Sequence, residues 1–147
     1  MKRKHNLPLA VADIHGSETY PHLRGQVRFY QRQHCVLVEA SVQRLPDNMT
    51  GFFGFHIHAG DNCEGNGFSG TGSHYNPSNA PHPYHAGDLP PLLSCGGNSY
   101  MAVATGRFRV ADILGRTVVI HDMVDDFHTQ PAGNAGTKIA CGVIRKV

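Results

Sequence analysis

With 147 residues, the chain fits one domain spanning 1–147, long enough to bury a core of its own. Its 40% hydrophobic and 16% charged content describes a globular protein toward the polar side. A formal net charge of +2 gives no electrostatic case for nucleic acid or an acidic membrane as partner, and no apolar run approaches the roughly 18 residues of a membrane helix.

The start, "MKRKHNLPLAVADIHG", is basic but carries too few apolar residues before Asp13 and His15 for a secretory core of about 7–15 residues. No signal peptide is read, which favours the cytoplasm over an exported mature chain. Short runs rich in β-branched and aromatic residues then follow: "PLAVADIHG", "RGQVRFYQR", "HCVLVEASVQRL", "FFGFHIHA", "YMAVATGRF", "GRTVVIHDM" and "KIACGVIRKV". No window offers an amphipathic helix with caps. The pattern predicts an all-β fold, an antiparallel Greek-key β-sandwich or barrel of about eight strands. Residues 60–91 and 122–137 stand outside that rhythm, and structureless loops so long are uncommon unless functional.

The eleven histidines concentrate in and beside those loops. His56 and His58 are two apart in a strand-like run, so both imidazoles leave the same face, roughly 6.6 Å apart along the strand. His121 ends another strand and is able to reach the same point. His74, His82, His85 and Asp88 follow on the long loop, the last three at spacings of three. Three imidazoles and a carboxylate make a closed tetrahedral zinc site, and an all-imidazole set suits copper or zinc equally. His5, His15, His22, His34 and His128 lack such company and read as packed or surface residues. A zinc hydrolase would need a general base beside an open metal position, and no H-E-x-x-H is present. The four cysteines, Cys35, Cys63, Cys95 and Cys141, fit no CxxC metal spacing and leave several pairings open.

The segments "GFHIHAGD", "GSHYNP", "HAGDLP", "GRTVVIHDMVDDF" and "GNAGTKIACGVI", running in order from Gly54 to Ile144, resemble the signature segments of the copper–zinc superoxide dismutases. That family's sandwich architecture is established, and the resemblance implies disproportionation of superoxide into dioxygen and hydrogen peroxide. It makes His56, His58, His74 and His121 copper ligands and His74, His82, His85 and Asp88 zinc ligands, with one copper and one zinc per subunit. His74 is then the bridging imidazole, which also carries a proton in turnover. Asp125 takes the place of a carboxylate that hydrogen-bonds ligand histidines on both metals. Cys63 and Cys141 match the family disulfide, while Cys35 and Cys95 lie outside the pattern as a second disulfide or two free buried thiols.

Three departures accompany the resemblance. Lys138 stands where the family usually has an arginine, keeping the charge near the copper but losing the planar fork. Activity is expected to be retained but lowered, and Lys138→Arg to raise it. The loop between His121 and Cys141 is short beside the eukaryotic branch and lacks its charged stretch, so anion steering, an established behaviour of superoxide dismutases, rests more on Lys138. Arg145 and Lys146 stand where the eukaryotic dimer has small or apolar residues, which points to a monomer or a homodimer of another type. A non-catalytic copper or zinc store or donor of the same fold is the alternative to the enzyme.

Overall fold

The computed structural model describes residues 7–147; His5 and the basic start discussed above lie outside the described residues. Among the described residues there are nine strands: β1 (Ala10–Gly16), β2 (Arg24–Gln31), β3 (Val36–Gln43), β4 (Phe52–Phe53), β5 (Phe55–His58), β6 (Leu92–Leu93), β7 (Ser99–Thr105), β8 (Thr117–His121) and β9 (Lys138–Lys146). A kinked 3₁₀ turn, Asn66–Thr71, and a one-turn helix α1, Val110–Ile113, are the helical pieces among the described residues. A seven-stranded antiparallel sheet, in the order β5-β8-β9-β1-β2-β3-β7, curls into a half-barrel, and β4 and β6 form a separate ribbon. The chain therefore runs β1-β2-β3 as a meander, then crosses to the far edge at β5, as a Greek key requires.

Strand formation follows the sequence pattern. In β3, "VLVEASVQ", alternate residues Val36, Val38, Ala40 and Val42 are buried, the period of a sheet with one wet face. Phe29, Phe53, Phe55, Leu92 and Ile144 join them in the core between the curled walls. The count exceeds the expected eight for two reasons. The run "FFGFHIHA" breaks at Gly54, where a Cβ would lie 2.8 Å from that of Ala135 and 3.2 Å from that of His121. The two-residue strand β6 is too short to register as a periodic pattern and forms by pairing with β4.

β5 and β8 depart from the one-wet-face rule along their whole length. Every residue of β5, Phe55–His58, and of β8, Thr117–His121, is buried. Phe55 and Ile57 face the core, so His56 and His58 lie on what would be the solvent face. The long loop covers them by returning to the free edge of β5. Ile57 N–H donates to Gly87 O at 2.9 Å, Tyr75 N–H donates to Ile57 O at 2.8 Å, and isolated bridges pair His56 with Asp88 and His58 with His74. Gly87 permits this approach, because a Cβ there would overlap the Ile57 carbonyl.

The disulfide joins Cys63 to Cys141, with Cα atoms 5.9 Å apart, and so ties the loop to β9. Cys35 and Cys95 are both free, as one of the two alternatives had it, but Cys35 is half-buried and Cys95 exposed rather than both buried. They flank opposite ends of the β3–β7 ladder, in which Val36 pairs with Thr105 and Val42 with Ser99. His15, His22, His34 and His128 are exposed, as read from the sequence. Arg145 meets Asp13 at 2.8 Å, so its charge is partly met within the chain and like-charge repulsion at the C-terminus falls mainly on Lys146.

Candidate metal centre

Three elements bring the predicted residues to one place. β5 presents His56 and His58, β8 ends on His121, and the 60–91 loop lays His74, His82, His85 and Asp88 over them. Two four-residue clusters result among the described residues, in each of which one nitrogen or oxygen atom per residue lies within 4.8 Å of the others: His56, His58, His74 and His121; and His74, His82, His85 and Asp88. His74 belongs to both. All of these histidines are at most 6% exposed.

The ring nitrogens show which atoms face inward. His56 gives Nε2 to Asp125 Oδ2 at 2.7 Å, and His58 gives Nδ1 to Gly72 O at 2.8 Å. His56 Nδ1 and His58 Nε2 are thereby left for the first cluster. His58 Nε2 and His121 Nε2 stand 3.3 Å apart, and His74 Nδ1 and His85 Nδ1 stand 3.2 Å apart. His58 Nδ1 faces Gly72 O and His121 Nδ1 faces Gly136 O at 3.4 Å, so the two neutral rings carry their protons there and turn the lone pairs of their Nε2 atoms toward each other. His56 Nδ1, His74 Nε2 and His82 Nδ1 are buried without a hydrogen bond, and His82 Nδ1 lies 3.0 Å from Asp88 Oδ2 but out of line for one. Buried polar atoms rarely go unpaired. Convergent, unsatisfied donor atoms are what a metal ion completes, so the residues fit the two metals that the sequence implies. The second cluster, three imidazoles and a carboxylate, is a donor set that zinc accepts; the first, all imidazole, suits copper or zinc.

Burial and neighbouring charges set the protonation of the clustered residues. Burial pushes His58 down to about 2, aided by repulsion from His121, and pushes His121 down to about 3, aided by His56. Both are neutral at physiological pH, the state that binds metal. Asp88 and Asp125 go the other way. Burial alone would raise each carboxyl, but hydrogen bonds from His74 to Asp88, and from His56 and His82 to Asp125, outweigh it and hold both below the ordinary carboxylate range.

Asp125, 2% exposed, connects the clusters: Oδ2 takes His56, while Oδ1 takes His82 Nε2 at 2.8 Å and Phe127 N–H at 2.8 Å. Gly133, at φ +71°, lets this carboxylate approach, since a Cβ there would overlap Asp125 Oδ1. Lys138 stands at the start of β9, on the wall of an open cavity of about 370 Å³ that also exposes His58, His74 and His121. Among the described residues lining that cavity, Lys138 is the one lysine or arginine and no carboxylate appears. Its Nζ donates to Thr71 Oγ1 at 2.7 Å and to Gly72 O at 3.0 Å, and burial lowers its pKa.

Several residues that hold the site carried no sequence signal. Arg107 Nη1 donates to Pro83 O at 2.6 Å and to His85 O at 3.2 Å. Gln130 and His82 exchange side-chain and backbone bonds of 2.8 and 2.9 Å. Arg116 donates to Ala59 O at 3.0 Å and sits 4.3 Å above the Tyr75 ring, holding the residues next to His58 and His74. A spacing search finds none of these, because each contact closes over a long sequence separation.

Comparison with known proteins agrees with this geometry. The family profile described as copper/zinc superoxide dismutase (SODC) matches residues 23–144. The chain is similar to a superoxide dismutase [Cu-Zn] of Legionella pneumophila, 33% identical over 93% of this chain and 90% of that one. It is also similar to a superoxide dismutase [Cu-Zn] A of Xenopus laevis, 36% identical over 83% and 89%. A copper chaperone for superoxide dismutase of Rattus norvegicus is 31% identical over 96% of this chain but 54% of its own length. By this profile and these relatives, the chain belongs to the copper/zinc superoxide dismutase family.

Proposed function

We propose that the chain disproportionates superoxide to dioxygen and hydrogen peroxide, with copper held by His56, His58, His74 and His121 and zinc held by His74, His82, His85 and Asp88. The observation that carries this reading is the sharing of His74: its Nδ1 lies 2.8 Å from Asp88 Oδ1, while its Nε2 is buried, unpaired and turned away. A ring that serves both clusters needs both nitrogens deprotonated, which two flanking cations make favourable near neutral pH.

The chemistry a bound copper supplies is alternating one-electron oxidation and reduction of superoxide, for which zinc has no accessible oxidation state. The protein's part is placement and protons. His74 Nε2 is the buried atom at the cavity that takes up one proton and passes it to the product, and solvent in the cavity supplies the second. His56, turned by Asp125, and His58, turned by Gly72 O, keep their cluster-facing nitrogens unprotonated. Lys138 places the lining's positive charge beside His58 and His121 and attracts the anionic substrate.

Superoxide decay measured on protein loaded with both metals, across ionic strength, tests this. Fast decay that slows with added salt is expected. A rate no greater than that of copper bound to an unstructured histidine peptide would overturn it. A second reading, a non-catalytic copper carrier, draws on the likeness to the rat chaperone. Against it stands a ligand set with no member missing. Transfer of copper to an acceptor protein without superoxide decay would favour the carrier.

A further inference from the structure

Lysine is a poor steering group unless something fixes it, because its ammonium rides on a flexible four-carbon stem, whereas arginine presents a rigid planar fork. Lys138 nevertheless has a built seat. Thr71 is fully buried and ends the kinked 3₁₀ turn. Its backbone is fixed by the Gly60 N–H bond to Thr71 O at 2.7 Å, and its hydroxyl proton goes to Phe68 O at 2.8 Å. A hydroxyl has one proton to give. With that proton committed, the remaining lone pairs of Thr71 Oγ1 face Lys138, which donates to them at 2.7 Å.

The second acceptor, Gly72 O, does double duty. It receives Lys138 Nζ at 3.0 Å and His58 Nδ1–H at 2.8 Å, so one carbonyl sets both the position of the cation and the tautomer of a ligand histidine. Both seats are neutral oxygens. The ammonium is therefore oriented without its charge being cancelled, and its third N–H is not used by either. We propose that Thr71 is the positioning residue for Lys138, giving its ammonium the fixed place beside the cavity that a guanidinium fork would hold by its own shape; this rests on the reading of Lys138 as the cation that captures superoxide.

The test uses protein loaded with zinc and reduced copper and compares Thr71→Val, Thr71→Ser and Lys138→Gln. Two quantities are read: the order parameter of the Lys138 ammonium by ¹⁵N relaxation, and the second-order rate of superoxide decay by pulse radiolysis across ionic strength. Thr71→Val keeps the shape but removes the acceptor. The ammonium should loosen, and the low-salt rate should fall about threefold, part of the tenfold or greater gain that steering supplies. Thr71→Ser should restore both. If Thr71→Val does not fold, Thr71→Ala carries the same expectation. An unchanged ammonium in the valine variant, or a serine variant that behaves like valine, overturns the inference. If Lys138→Gln slows decay and loses its salt dependence while Thr71→Val does neither, the steering role stands and the Thr71 seat falls. If Lys138→Gln itself leaves the rate unchanged, the steering role fails, and the seat has no functional consequence.

Discussion

Replacing Asp125 separates its two duties. The carboxylate accepts His56 Nε2–H at 2.7 Å on Oδ2, and on Oδ1 it accepts both His82 Nε2–H and Phe127 N–H, each at 2.8 Å. Hydrogen bonds to a charged group contribute about 1.5–3 kcal/mol each. Asp125→Ala forfeits the two from the rings, about 3–6 kcal/mol before any water enters, and leaves two buried N–H groups unpaired. Metal affinity at both clusters should fall about 10–100-fold, the usual effect of removing a group that orients a ligating histidine.

Asp125→Asn is the sharper case because the amide is not symmetric. Its one oxygen serves best where Oδ1 now receives two donors. Its NH₂ then faces His56 Nε2–H, donor against donor. Either that contact opens, or His56 moves its proton to Nδ1, the atom turned toward the first cluster; both outcomes disable His56 and spare His82. Competition titrations against calibrated copper and zinc chelators should therefore show a larger loss at the His56 cluster than at the His82 cluster. Equal losses, or a larger loss on the zinc side, would refute the assigned orientation of the carboxylate.

Cys63→Ser removes a cross-link spanning 78 residues, which the chain-entropy estimate values at about 4.5 kcal/mol, so the metal-free midpoint in urea should fall markedly; an unchanged midpoint would refute this. Gly133→Ala places a Cβ on Asp125 Oδ1 at a φ of +71°, and should weaken zinc binding as Asp125→Ala does, which isothermal titration would read. His58 and His121, pushed down to about 2 and 3, stay neutral in the fold while the unfolded chain takes up protons below about 6.5. Metal-free protein should thus lose thermal stability as pH falls from about 6.5 toward 3; a midpoint that is flat across that range would exclude the buried neutral state. Asp125, held below its ordinary value near 3.9, contributes stability that is present above that pH and is lost only as pH falls further toward its lower folded value.

The strands and the clustering of the histidines were legible because their signals are local. A period of two in "VLVEASVQ" specifies a half-buried strand, and His56 and His58 share a face by the same rule. The turn-rich composition of residues 60–91 marked a segment folded around something other than a core. What stayed hidden acts across space. Nothing near Thr71 in the sequence announces Lys138, 67 residues away, and nothing near His82 announces Gln130, 48 away. Gly54 split one expected strand into two for a reason that lies in Ala135 and His121. The cysteines outside the family pattern left two alternatives that composition was unable to settle, and the positions of Cys35 and Cys95 at opposite ends of one ladder settle them.

These contacts explain how a glycine-rich loop with few apolar residues stays ordered. Fixing each residue of a loop costs about 1–2 kcal/mol of backbone entropy, which a core normally offsets. Here the offset is spread over the Cys63–Cys141 bridge, the hold of Arg107 on Pro83 and His85, the Gln130–His82 exchange, the clamp of Arg116 on Ala59 and Tyr75, and the Lys138 bonds to Thr71 and Gly72. None of these contacts uses the imidazole of a clustered histidine. The ring nitrogens of His58 and His121 stand 3.3 Å apart in this setting, both neutral because burial disfavours the charged form. Under the proposed function, each of these ties lowers the cost of ordering the loop around a bound metal, so they contribute to affinity alongside the clustered side chains.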